Sequence, residues 1–481
     1  MKKICINAIR YTLPLFVLMA LSGCGSQYSA EKLYWQANQA AKTIINGRPL
    51  DKLNAQDYKK IIAGYRRLAE EYPLEPLSAQ SQFIIAQIYI LQNQLPKAEE
   101  ELVKVTQNFS QNSEIASLAQ FRIGALYEQQ GDWTQARREY ENVIDLFPLS
   151  SMGLKTPLYI AEYYQRGKDG VKADNAYHKA IKHYQKFINE YSGTTVSAIL
   201  KDYLALAYAS QGKWNEAVDI WQTLVDEYPQ SQIGETLLFA IGETYSRQIK
   251  DLQKAIDTYD DFVKKNPASK IIRYAKFQIG RLYLIKEDFA KARQLFEELI
   301  RDYPAEGELR ASSQLAIAVS YERQGSADKA MEIYHKLRNS FADNMPALGV
   351  PLLIAQHYLK ENRAPEAENA FKEAITGYEK IIKDKPNTAR AEGARNFLSL
   401  AYINQKKWDK AIDSLKASAD AHPNDPRTAK ALFTIAAIYR GQLGEPGKAI
   451  EIYEKFIQQY PGHALASMAK SEIDSLQKSK N

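Results

Sequence analysis

The sequence predicts an all-α solenoid, and three observations carry the prediction. The stretch Leu204 to Pro229, LALAYASQGKWNEAVDIWQTLVDEYP, reads as one helical hairpin, and variants of it recur along the chain. Two columns run in step: Tyr89, Tyr127, Tyr164, Tyr208, Tyr245, Tyr283, Tyr321, Tyr358, Tyr402 and Tyr439 beside Ala98, Ala136, Ala176, Ala217, Ala255, Ala292, Ala330, Ala370, Ala411 and Ala449. The hairpin ends, from Pro73 to Pro461, recur at intervals of 37, 38 or 44 residues. Self-similarity at such a period belongs to stacked helical repeats, in which no unit buries its apolar face alone.

Within the hairpin, Leu204, Leu206, Ala207 and Tyr208 close a first helix, and Gly212 permits a tight turn. A second helix then carries Ala217, Trp221 and Leu224 at i, i+4, i+7 until Pro229 stops it. Small Ala217 lets the helices approach, and Tyr208 and Trp221 fill the space around the crossing. The pattern Leu204, Ala205, Tyr208, Gly212, Ala217, Trp221, Pro229 resembles the tetratricopeptide repeat. That resemblance implies a right-handed superhelical solenoid of about eleven hairpins with a C-terminal capping helix.

In chain order, residues 1–23 read as a targeting segment: Lys2, Lys3 and Arg10 are basic, Tyr11 to Leu21 is apolar, and Leu21-Ser22-Gly23 precedes Cys24. This resembles the bacterial lipoprotein signal, which implies lipidation of Cys24 and, with Gly at position 25, sorting to the outer membrane in a Gram-negative cell. Several acyl chains on one residue make a stable anchor. Residues 24–28 then form a short tether, and a continuous array runs from 29 to 461. Its first helix is expected over Ser29 to Ile45 and its second from about Gln56 to Pro73. The spacing of hairpin ends repeats after 194 residues, or five hairpins, which points to an internal duplication. In both blocks one hairpin is longer by six or seven residues, so the helices Lys172 to Tyr191 and Pro365 to Lys385 should protrude. Residues 462–481 hold a last helix, Leu465 to Gln477, that caps the apolar end, and a polar tail.

Composition excludes several functions. Cys5 leaves with the signal and Cys24 carries lipid, so the body has neither disulfide nor cysteine metal site. Without the first 23 residues the balance is 60 basic to 57 acidic side chains, which does not point to nucleic acid. No phosphate loop, dinucleotide fingerprint, zinc-protease or nucleophile-elbow motif occurs, and His178 and His183 stand five apart on different helix faces. Neither catalytic residues, metal ligands, a cofactor nor a small-molecule substrate is expected.

Surface recognition remains. In the tetratricopeptide family the first helices line a concave groove that binds a partner's peptide or helix. Carried over hairpin by hairpin, the resemblance places there Phe121, Ala125 and Glu128, then Asp202, Leu206 and Ala209, then Phe277, Arg281 and Leu284, then Leu315, Val319 and Glu322. The lipid signal, slightly long units and endings such as Tyr72-Pro73 and Tyr228-Pro229 resemble the outer-membrane assembly lipoproteins of the BamD/YfiO type, at about twice their length. The implied function is a lipid-anchored periplasmic scaffold whose partners are other envelope proteins, in outer-membrane protein assembly. An accessory of export, secretion or pilus machinery, and a glycan-binding accessory of a peptidoglycan or polysaccharide system, are the alternatives.

Overall fold

The computed structural model describes residues 24–48, 53–229, 231–421, 426–460 and 463–478. Residues 1–23, expected from the sequence to be a targeting segment, lie outside them. Twenty-three α-helices and no strand occur among the described residues. The contacts group these residues into two compact units that divide between Asp251 and Leu252. Within each unit every helix packs against the next in sequence.

The first unit contains α1 (Cys24–Ile45), α2 (Ala55–Glu71), α3 (Pro76–Leu91), α4 (Leu95–Asn108), α5 (Ser113–Gln130) and α6 (Trp133–Leu146). It continues with α7 (Ser151–Arg166), α8 (Gly170–Glu190), α9 (Thr195–Ser210), α10 (Trp214–Glu227), α11 (Gln232–Thr244) and a π-helical turn, Tyr245–Ile249. The second unit contains α12 (Leu252–Lys265), α13 (Ile272–Ile285), α14 (Phe289–Asp302), α15 (Gly307–Arg323) and α16 (Ala327–Ser340). A 3₁₀ turn, Met345–Gly349, leads into α17 (Val350–Lys360), and α18 (Ala364–Asp384), α19 (Ala389–Asn404), α20 (Trp408–Ala421), α21 (Pro426–Gly441) and α22 (Pro446–Gln459) follow. The capping helix α23 (Ala466–Lys478) packs on α22 and buries Ala466 and Ala469.

The turns explain the tyrosine column. In every hairpin from α3 onward the carbonyl of the column tyrosine accepts a hydrogen bond from a backbone N–H of the turn, as from Asp132 to Tyr127 at 3.0 Å and from Lys213 to Tyr208 at 3.0 Å. The residue before that donor takes a positive φ: Gly131, Gly212, Gly325 and Gly444, but also Asn93, Lys168, Lys250, Glu287, Asn362 and Lys406. The bond thus sets where each second helix begins. After Tyr245 one additional residue is accommodated by widening the helix end into a π turn.

From that start, the fourth residue of each second helix from α4 onward is a buried alanine and the eighth is a large side chain facing the first helix. In α8 and α18 these places are held by Ala173 with Tyr177 and by Ala367 with Phe371. The alanine column read at Ala176 and Ala370 therefore belongs three residues earlier. The reason is the turn bond, which pins the start of the helix, so that additional residues can lengthen only its far end. Both helices have 21 residues where the other second helices from α4 onward have 14. Their added turns bury Tyr184 and Tyr378, whose rings stack at 5.8 Å on Tyr203 of α9 and Phe397 of α19. They are clamped to the next hairpin, although their outer faces stay open.

The chain enters α1 earlier than expected. Residues 25–28, read as a tether, are wound into the helix, because nothing between Cys24 and Ser29 breaks it and Gln27 bonds Glu31 one turn on.

Candidate partner-binding faces of the first helices

The expected partner-facing residues lie on α5, α9, α13 and α15, and the structure sorts them into three groups. Phe121 and Glu128 on α5 converge on two tyrosines. The Phe121 ring lies 4.8 Å from Tyr140 and 5.3 Å from Tyr159, and both tyrosine hydroxyls donate to the Glu128 carboxylate, at 2.8 and 2.7 Å. Leu315 and Glu322 repeat the arrangement 194 residues later: Leu315 packs on the core cluster that holds Tyr334, whose hydroxyl donates to Glu322 at 2.7 Å. Burial, followed by the neighbouring carboxylate, raises the pKa of Tyr140 and Tyr334, so both remain donors at any physiological pH. These half-buried carboxylates brace the hairpin as much as they offer an acceptor.

The second group is partly exposed. On α9, Ile199, Asp202 and Leu206 follow at i, i+3, i+7, with Ile199 and Leu206 about two-fifths exposed. Asp202 accepts the indole N–H of Trp221 at 2.9 Å, and burial raises its pKa against that bond. On α13, Tyr274, Phe277, Arg281 and Ile285 form a stripe along one side. Tyr274 and Ile285 are about half exposed, and Arg281 is exposed and bonds only its own helix neighbour Gln278 among the described residues. Phe277 is half-buried against Phe296 at 5.3 Å. On α19, Leu400 is exposed at the position 194 residues beyond Leu206.

The third group does not face solvent. Leu284 is buried, as is Ala209, so neither offers a surface to a partner. Leu284 lies beside the column tyrosine Tyr283, where the helix turns inward, and its carbonyl accepts from Arg323 of α15. Ala125 and Val319 are half-buried. Ile199, Tyr274, Ile285 and Leu400 were not read from the sequence, although spacing of three or four from an assigned position on the same helix would have reached the first three.

Most exposed large apolar residues lie on first helices, with Leu146 and Val171 on second helices as exceptions, and second helices otherwise expose mainly charge. Contiguous apolar residues rimmed by Asp202 or Arg281 are what a protein partner uses. Among the described residues no group of three or more His, Cys, Asp or Glu side chains could hold a metal ion. No described helix is long and apolar enough to cross a membrane.

The family models agree with this architecture. The tetratricopeptide repeat-like domain family matches residues 11–186, and tetratricopeptide repeat families match 202–231, 236–269 and 430–463, and 277–343 and 352–426. The photosystem I assembly protein Ycf3 of Prochlorococcus marinus is 25% identical over 134 residues, covering 24% of this chain and 77% of that protein. Yeast Tom70 aligns over 94% of this chain and 96% of its own, at 13% identity and a TM-score of 0.43. A tetratricopeptide repeat protein from Parabacteroides merdae aligns over 59% of this chain and 98% of its own, at 17% identity and a TM-score of 0.32. With its hairpins, its turn bond and its small-to-aromatic packing accounted for, the chain is an all-α solenoid of tetratricopeptide repeats, a scaffold for protein–protein interaction.

Proposed function

We propose that this scaffold is anchored through lipid on Cys24 to the outer membrane, faces the periplasm, and holds components of an envelope machine, with outer-membrane protein assembly as the leading case. The observation that carries the reading is the sequence Leu21-Ser22-Gly23-Cys24, placed after a basic and apolar segment with Cys24 as the first residue of the first repeat helix. The exposed stripes on α9 and α13 support the binding half of it: each joins apolar side chains to a single charge, as a partner's helix or extended segment requires. Likeness in sequence to lipid-anchored assembly proteins supports the choice of machine.

Photo-reactive residues placed at Leu206, Arg281 and Leu400 in native envelopes, followed by mass spectrometry, test it. Barrel-assembly proteins as adducts bear the reading out. Secretion, pilus or polysaccharide-export subunits replace the machine while keeping the scaffold. Retained glycan with no protein adduct at any position overturns the scaffold. Metabolic labelling with a fatty acid tests the anchor separately: label should be present on the native chain and absent from Cys24→Ser.

A further inference from the structure

The first helix carries a face that meets no other helix among the described residues. Ala30, Ala37 and Ala41 form its buried stripe, against α2 and α3. On the opposite side stand Tyr28, 69% exposed, and Trp35, 62% exposed. At 100° per residue these two lie roughly 20° apart around the axis and about 10 Å apart along it, so they share one line. Lys32 and Lys42 are exposed on the same side, and the nearby Glu31 is engaged by Gln27 at 3.2 Å. Two large aromatics on one line of a helix, flanked by lysines, form the pattern of a helix that lies in a membrane interface. They suit the headgroup region of a bilayer, where an amphipathic ring sits with its polar edge wet and lysine meets phosphate.

We propose that α1 lies flat on a phospholipid surface, with Tyr28 and Trp35 at headgroup depth and Lys32 and Lys42 against lipid phosphates. The inference rests on the membrane anchoring proposed above and deepens it. The apolar segment ends at Leu21 and α1 begins at Cys24, so no flexible spacer separates the anchor from this face. An acyl group at Cys24 leaves the helix free to stand upright or to lie down. Only the flat orientation brings Trp35, about 16 Å along the helix, to the same depth as Tyr28. The alanine stripe then holds α2 and α3 on the side away from lipid.

The test uses the full native chain reconstituted in vesicles of phosphatidylethanolamine and phosphatidylglycerol containing brominated lipid. Subtracting the fluorescence of Trp35→Phe isolates Trp35 from the other tryptophans. The expected result is loss of about half of this difference signal with bromines near the headgroups and a smaller loss with bromines near the chain ends. Replacing Lys32 and Lys42 by Ser together should reduce the quenching, and reduce it more in low-salt buffer than at high salt, where screening has already removed their contribution. Fatty-acid label on Cys24 with no quenching of Trp35 overturns the flat orientation and leaves the anchor standing. Quenching without label overturns the anchor and keeps the membrane-facing helix.

Discussion

A Cβ at Gly124 would sit 2.6 Å from a ring carbon of Tyr140, and one at Gly280 would sit 2.8 Å from Phe296. Both rings are fully buried and cannot give way. Gly124→Ala and Gly280→Ala should each cost roughly 1–3 kcal/mol, the usual penalty of overpacking, read as a fall in the urea midpoint. The turn position behaves in the opposite sense. Lys406 holds φ at 56°, where a side chain costs about 1 kcal/mol and glycine nothing. Lys406→Gly should therefore stabilise by about 0.5 kcal/mol once the greater freedom of glycine in the unfolded chain is deducted, again by urea titration. Asp202 supplies a pH dependence. Burial raises its pKa in the folded state, so the ionised form is a burden that is fully present above the raised value and is relieved as pH falls toward the unfolded one. Asp202→Asn keeps an acceptor for the Trp221 indole and removes the charge. It should melt higher than the native chain at pH 7, with the difference shrinking toward pH 4. The second block already carries Asn396 at the corresponding position.

Among the elements, α8 and α18 are the pair to compare, since they share length and position but not bonding. The Tyr184 hydroxyl donates to the Leu154 carbonyl at 2.7 Å. Tyr378 lies near the Leu352 backbone but makes no hydrogen bond of ordinary geometry. The difference follows from the preceding element, a regular helical turn at Leu154 but a 3₁₀ turn over Met345–Gly349 in the second block. Tyr184→Phe should cost about 1 kcal/mol, the net worth of a buried hydrogen bond. Tyr378→Phe should be neutral or slightly stabilising, because it removes an unpaired hydroxyl from a buried site. Thermal unfolding of the two variants side by side distinguishes the outcomes.

At the scale of the molecule, stability in a stacked array is a sum of hairpin terms and nearest-neighbour interfaces. A lesion in one hairpin therefore spreads to its neighbours and fades. Hydrogen exchange on Gly124→Ala should show lost protection in α5 to α8 and native protection in α19 to α22; uniform loss would mean that the two units unfold as one. Most of the fold was legible at this scale because packing here is local. The column of tyrosines is visible because each marks the carbonyl that closes a turn, and the alanine column because each marks a helix crossing with no room for more. The lengthened hairpins were visible as a count, but not where the length went. Ala173 and Ala176 both have the residue type the column requires, and only the turn bond from Asp169 to Tyr164 shows which one starts the register. The candidate faces were half legible: Leu206 and Arg281 are exposed, Asp202 and Phe277 are half-buried, and Leu284 is covered.

By itself the sequence determined the helical class, the repeat and its period, the turns and the small-to-aromatic packing, because each depends on contacts within one hairpin or between adjacent ones. Only the tertiary structure decided which side chains remain for a partner. Exposure depends on how far neighbouring helices reach over a position: it leaves Tyr274, Ile285 and Leu400 open, covers Leu284, and turns Glu128 and Glu322 into acceptors for tyrosines of their own hairpins. It also decided that Tyr28 and Trp35 share the uncovered side of α1, since that required knowing which side the alanines bury.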